Sequence, residues 1–357
     1  MPLDLAPRPL PLMTSALAPT GGLAKVSPED FLVEELPAYR PSGAGEHLYL
    51  FVEKRELSTS AAAKLLASAL GVDEREVGYA GQKDRRAVTR QWMSVHTPKD
   101  APALDDARIK IVEASRHTNK LKLGHLAGNR FVVTVRETLP DAVAPAQAVL
   151  DALAQVGLAN FYGAQRFGRR GDNASLGAAL LGLGEHPELA RAKHDRFLKR
   201  LAVSALQSEL FNRCLTERLA DGLWDEVLAG DVLRKRASGG VFVSTDAAVD
   251  RERVRSGELD ITGPMPGHRE RPAAQGEAFE REERVLAQAG VPRAAFAAAK
   301  GEAEGARRPF RVPLVNGSVR EVGLDALELA FDLPAGSYAT RVLAEVTKAD
   351  VSLPGED

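Results

Sequence analysis

The chain has 357 residues, with 47 Lys and Arg against 49 Asp and Glu, a formal net charge of −2, one cysteine and 44% hydrophobic residues. That length supports two domains with separate cores. The lone Cys214 excludes a disulfide framework, and a near-neutral balance excludes nucleic-acid binding by overall basicity, so any such binding must come from how the charge is distributed.

In chain order, residues 1–20 carry five prolines and no basic leader before an apolar core, so 1–24 is expected to be a mobile tail, neither a signal peptide nor a membrane span. His47–Glu53 has the β-branched and aromatic density of a strand. Ser60–Leu70 places apolar residues at 62, 65, 66, 69 and 70, the spacing of a helix, with Ser58 or Thr59 as its cap and Gly71 as its stop. Val77–Gly81 and Thr89–Val95 read as strands, which puts Lys83, Asp84, Arg85 and Arg86 on the loop between them. Arg108–Ala114 and Arg130–Arg136 are further strands, and Gly157 ends a helix over 142–156.

A long amphipathic helix follows from Arg196 to Leu219, with Phe197, Leu201, Leu206, Leu210, Phe211 and Leu215 as its stripe. Cys214 lies in this pattern and is expected to be a small buried hydrophobe of a reducing compartment. Beyond it come segments rich in Gly and charge. Strand character returns over 310–315 and 328–333, with a last helix over 338–346, so the C-terminal segment is expected to complete the first domain. The fold class is mixed α+β, without internal repeats or heptads.

Charge is concentrated. Residues 75–136 hold thirteen Lys or Arg against six Asp or Glu, and 160–213 hold nine against five. Phosphate contacts supply most sequence-independent affinity for RNA, so these two segments are candidates to line a binding cleft. Within the first, Gly78-Tyr79-Ala80-Gly81-Gln82-Lys83-Asp84-Arg85-Arg86-Ala87-Val88-Thr89-Arg90-Gln91 sets one carboxylate among cations with no second acid beside it. Nearby positive charge favours the ionised acid. Asp84 is thus either a nucleophile acting on nucleic acid or a solvated loop residue offsetting its neighbours.

This string has the form G-x-A-G-x-K-D-x-x-A-x-T-x-Q and resembles the signature of the TruD family of tRNA pseudouridine synthases. Asn160-Phe161-Tyr162-Gly163-Ala164-Gln165-Arg166-Phe167-Gly168 is similar to a second string of that family. Shorter matches lie at Pro28–Glu34, Gly128–Phe131 and Phe331–Thr340.

The resemblance implies a pseudouridine-synthase fold with a largely antiparallel sheet, over 25–158 with 309–350, and an inserted TRUD-type domain over 159–308. It implies isomerisation of a uridine in tRNA, position 13 in that family and usually of a glutamate tRNA. The base leaves C1′ through N1, turns while bound, and rejoins through C5, which calls for no metal or organic cofactor. Asp84 inherits the catalytic role, either attacking C1′ or removing the C2′ proton. Lys83 and Arg85 are expected to keep Asp84 charged, and Lys83 to meet a phosphate or the ribose. Phe31 and Phe331 are expected to contact the extruded base, and Asn129 its edge or the ribose. Phe131 stands where other pseudouridine synthases place a tyrosine. Lys25 is a further candidate for RNA contact. Gln165 and Arg166 either meet phosphate or fix a domain junction, the second reading being favoured.

The implied partner is tRNA, in the cytoplasm, with no membrane, no metal and no obligate protein partner. The seven histidines show no i, i+4 pair, and there is no second cysteine, no P-loop and no facing carboxylate pair. Two other readings stay open: a silent RNA-binding protein on the same basic surface, and a glycosylase or base-exchange enzyme.

Overall fold

Period-two alternation of apolar residues builds one large sheet, and the elements that frame it lie at both ends of the chain. The computed structural model describes residues 3–349. The chain runs through β1 (Gly21–Ala24), β2 (Phe31–Pro37), β3 (His47–Arg55), α1 (Thr59–Leu70), β4 (Gly78–Tyr79), β5 (Val88–His96), β6 (Ile109–His117), β7 (Leu126–Thr138) and α2 (Val143–Val156). It continues through β8 (Leu158–Ala159), α3 (Asn173–Leu180), α4 (Leu189–His194), α5 (Arg196–Ala220), β9 (Val232–Lys235), β10 (Val241–Val243), α6 (Ala247–Arg255), β11 (Leu259–Met265) and α7 (Gly276–Gln288). The last elements are β12 (Ala306–Pro309), β13 (Arg311–Val312), β14 (Val315–Gly323), β15 (Ala326–Pro334) and α8 (Ala339–Thr347). Two compact units result: residues 3–13 with Ala159–Val312, and Thr14–Leu158 with 313–349. No helix among the described residues is long and apolar enough to cross a membrane.

The second of these units is built on a nine-stranded sheet of order β14-β15-β7-β2-β5-β3-β6, with β1 added to β7 and β4 to β5. Every pairing is antiparallel except β2 with β5. Residues directly opposite one another point to the same face. The register therefore lines up one row across the sheet: Phe331, Phe131, Val33, Thr89 and Lys54. A parallel row holds Leu333, Asn129 and Glu35.

Helix α1 covers the β3–β5 end of that face, burying Leu66, Ala67 and Leu70 against Leu50, Val52, Met93 and Val95. Its start follows from Ser58, whose hydroxyl accepts from the Ala61 N–H at 3.1 Å. It stops at Gly71, where φ is +68°, a left-handed conformation suited to glycine. The other end of the face carries Phe31, Phe131 and Phe331.

The first unit is organised on α5, whose buried residues include Ala202, Leu206, Leu210 and Phe211. A four-stranded sheet of order β10-β9-β11-β12 accompanies it. Helix α3 approaches α5 so closely that a Cβ on Gly177 would lie 2.3 Å from the Ala202 carbonyl oxygen. Cys214 is buried, and burial pushes its thiol pKa up.

Four expectations need correction. Residues 1–2 and 350–357 lie outside the described residues, but the segment expected as a tail is packed over 3–24. Leu5 is buried with Leu206, Leu210, Leu286 and Phe296, Thr14 donates its hydroxyl to Glu345 at 2.6 Å, and β1 pairs with β7. Proline removes backbone donors, so a proline-rich segment can lie buried without a full ladder. Phe197 is exposed, because α5 turns it to solvent beside the cap formed by Asp195. The strand expected over 310–315 is only Arg311–Val312, with the longer β14 beginning at Val315. Finally, Phe31–Pro37 is a strand that the alternation of Phe31, Val33 and Glu35 encodes, although the expected strands began only at His47.

Candidate active site

The loop between β4 and β5 has no regular structure from Gly81 to Ala87, so side chains from neighbouring elements hold it. Gln91 on β5 donates to the Gly81 carbonyl at 3.2 Å. Thr59, at the start of α1, accepts from the Lys83 N–H at 2.9 Å and donates to the Gln91 amide oxygen at 2.9 Å. Lys54 on β3 donates to the Asp84 carbonyl at 3.1 Å and to the Leu57 carbonyl at 2.6 Å. Three successive points of the loop backbone are thus tied to rigid elements.

Asp84 projects from this support with its side chain 37% exposed, open to a substrate. The cation that meets it is Lys25, whose Nζ lies 3.4 Å from Asp84 Oδ2. Lys25 is itself 6% exposed in its side chain, and its ammonium stands 3.8 Å from the centre of the Phe31 ring, a cation–π contact. Its backbone is left-handed, with φ +59°, which a lysine adopts only under the constraint of its surroundings.

The cations expected around Asp84 are disposed otherwise. Lys83 turns inward to Glu35, with Nζ 2.8 Å from Oε2 and both side chains buried. Glu35 also accepts from the Trp92 N–H at 3.3 Å, and its carboxyl is raised above the ordinary range by burial, which the Lys83 ammonium opposes. Arg90 bridges Glu53 and Glu34. Arg85 and Arg86 are exposed.

On the sheet face beside Lys25, Phe31, Phe131 and Phe331 form an aromatic floor. Ring centres are 6.0 Å apart for Phe31 and Phe131, and 5.6 Å for Phe131 and Phe331 at an interplanar angle of 28°. Phe331 is wholly buried and Phe31 nearly so. Their ring faces are closed in this structure, so they act as packing under the site rather than as an open stacking surface. Asn129 is half-buried on the same face, and its buried Oδ1 has no hydrogen-bond partner among the described residues. Gly128 before it is required: a Cβ there would lie 2.3 Å from the Leu333 carbonyl oxygen on β15.

Gln165 and Arg166 belong to the other unit. Gln165 is exposed, while Arg166 donates to Ser208 at 3.1 Å and to Ser204, both on α5. The same segment is fastened by Asn212, which accepts from the Tyr162 N–H at 2.9 Å and donates to the Tyr162 carbonyl at 2.9 Å. Those contacts fix Tyr162 and Arg166 against α5.

Sequence reasoning passed over Lys54 and Glu35, and read Thr59 only as a helix cap. A signal was present for the first two: each continues an alternating buried series, Leu48, Leu50, Val52, Lys54 and Phe31, Val33, Glu35. A charged residue at a core register position needs a polar partner.

Comparison with known proteins gives consistent matches. The family model described as tRNA pseudouridine synthase D (TruD) matches residues 10–183 and 184–346. The chain is 50% identical to the tRNA pseudouridine synthase D of Anaeromyxobacter sp. (strain Fw109-5) over 353 residues, covering 97% of this chain and 98% of the relative. It is 44% identical to that of a Thermus thermophilus strain, with 98% and 95% covered. A Methanosarcina mazei crystal structure described as a putative tRNA pseudouridine synthase D (TruD) superposes with a TM-score of 0.76 at 25% identity, over 96% of this chain and 97% of that one.

Proposed function

The chain belongs to the TruD family and is a tRNA pseudouridine synthase, and from that premise we propose that Asp84 is the catalytic carboxylate, acting on uridine 13 of a tRNA in the cytoplasm. Catalysis is assigned to the unit that holds the nine-stranded sheet, with 159–308 as an inserted domain.

One observation carries this reading: Asp84 is a partly exposed carboxylate on a loop whose backbone is tied at three successive points, with a buried ammonium, Lys25, 3.4 Å from one oxygen. An ionised carboxylate held rigidly beside a cation is what attack at C1′, or removal of the C2′ proton, requires. A uridine brought to it must leave its stack, since the carboxylate cannot reach the sugar face of a paired base. In either route the uracil leaves with the glycosidic electron pair on N1. It turns while held and forms the new bond from C5; the C5 proton is lost to solvent, N1 takes up a proton in its place, and Asp84 is released from C1′ in the first route or the C2′ proton is returned in the second. No atom is gained or lost overall.

Lys25 stabilises the carboxylate before reaction. Asn129 offers amide groups to the uracil edge or the ribose. Phe31, Phe131 and Phe331, closed in this structure, support the site by packing and do not themselves stack on the base, and Arg85, exposed beside Asp84, meets the backbone phosphates. Lys83 acts from within, by anchoring the loop to Glu35.

The test follows release of tritium from C5 of uridine in transcribed tRNA. Release without free uracil is expected from the native chain. Asp84→Asn is expected to lower turnover by at least about a thousandfold, with tRNA affinity within about twofold, because phosphate contacts survive the change. Appreciable turnover in that variant would exclude Asp84 as the catalytic group, and free uracil would point to glycosylase activity.

A further inference from the structure

Lys54 occupies a register position that a strand built only for stability would fill with an apolar side chain. It follows Leu48, Leu50 and Val52 on the buried face of β3, and it is 1% exposed. Burying an ammonium is unfavourable unless something gains from its donors. Both of its hydrogen-bond partners are main-chain carbonyls, Leu57 at 2.6 Å and Asp84 at 3.1 Å. The first sits in the turn that leads into α1 and the second belongs to the residue carrying the catalytic carboxylate.

Around Lys54 the opposed residues on β5 and β6 are Thr89 and Ile109, neither of which carries charge. Of the ionisable groups nearby, Asp84 favours its charge and Lys83 disfavours it. A charge-assisted hydrogen bond to a carbonyl is stronger than a neutral one, and here it fastens the backbone carbonyl of the residue that carries the carboxylate, on a loop without secondary structure.

Building on the assignment of Asp84 above, we propose that Lys54 is a positioning residue for the isomerisation: its buried ammonium clamps the Asp84 carbonyl to β3 and to the start of α1, and so fixes the direction in which the carboxylate meets the ribose. It touches no substrate. Its action is through the loop, and a shift of about 1 Å in a reacting group is enough to slow a reaction on the order of a hundredfold.

Lys54→Met and Lys54→Gln test this by single-turnover pseudouridine formation on tRNA, alongside direct tRNA binding and limited trypsin digestion, which reads the loop through Lys83, Arg85 and Arg86. Lys54→Met is expected to lower the maximal rate by roughly fiftyfold with tRNA affinity within about twofold, and to speed cleavage after Arg85 and Arg86. Lys54→Gln retains an amide donor without the buried charge, and is expected to recover part of the rate. A folded Lys54→Met variant turning over within about threefold of the native chain overturns the proposal, as does a loss of rate matched by an equal loss of tRNA affinity. Should Lys54→Met not fold, Lys54→Gln carries the test: a lowered maximal rate at native tRNA affinity supports the clamp, and a native rate from a loop that trypsin cleaves faster overturns it. Asp84→Asn is run in parallel. If it turns over, the assignment of Asp84 falls; if it is silent while Lys54→Met is unimpaired, only the role of Lys54 falls.

Discussion

At the scale of single residues, the site depends on charges set where a protein core ordinarily admits none. Lys54 is the clearest: burial pushes its pKa down to about 8, with Asp84 opposing the shift and Lys83 adding to it. The folded-state value lies below the ordinary value of 10.5. Between these two pH values the unfolded chain binds more protons than the folded one, so stability rises with pH across the window and is lost as pH falls toward about 8. Replacing Lys54 with Met removes that dependence. Urea titrations of the two proteins at several pH values should show the difference in their unfolding free energies changing by about 3 kcal/mol over the window. An unchanged difference would mean that the ammonium is not buried as described. Glu35 and Lys83 form the complementary case, a carboxylate and an ammonium that neutralise one another at one end of the same face. Asp84 differs from both in being partly open to solvent, as the proposed catalytic role requires.

At the scale of elements, three supports converge on the loop from Gly81 to Ala87: the start of α1 through Thr59, β5 through Gln91, and β3 through Lys54. Lys54 and Thr59 are distant from Asp84 in sequence, and they join Gln91 at the loop through antiparallel pairing of β3 with β5 and through α1 folding back over both. The approach of β7 to β15 sets the aromatic floor in the same way. Gly128 lets the two strands run side by side, since a Cβ there would collide with the Leu333 carbonyl. Gly128→Ala is therefore expected to destabilise the protein by about 1–3 kcal/mol, as overpacking does, and to shift Asn129 enough to reduce turnover. Thermal unfolding and the tritium assay check it. A variant of native stability and rate would show that the strands separate without penalty.

At the scale of the whole molecule, the net charge of −2 conceals the basic segment over 75–136. Binding of tRNA through phosphate contacts releases counterions, so affinity should fall linearly on a logarithmic plot against salt, and Arg85→Ala should reduce the magnitude of that slope by about one without changing which RNA is preferred. A slope unaltered by that substitution would remove Arg85 from the interface. Much of this protein can be read from its residues in order: two long strings carry the family, Ser58 and Gly71 bound α1, and period-two alternation marks the strands, because local propensity and short motifs are properties of neighbours in sequence. The cationic run at 83–90 misleads for the complementary reason. Sequence places Lys83 and Arg90 beside Asp84, whereas the fold turns them to Glu35, Glu53 and Glu34 and brings Lys25 and Lys54 to Asp84 instead. Which charge meets which is decided by strand register and burial, and those arise only when residues far apart along the chain are packed together.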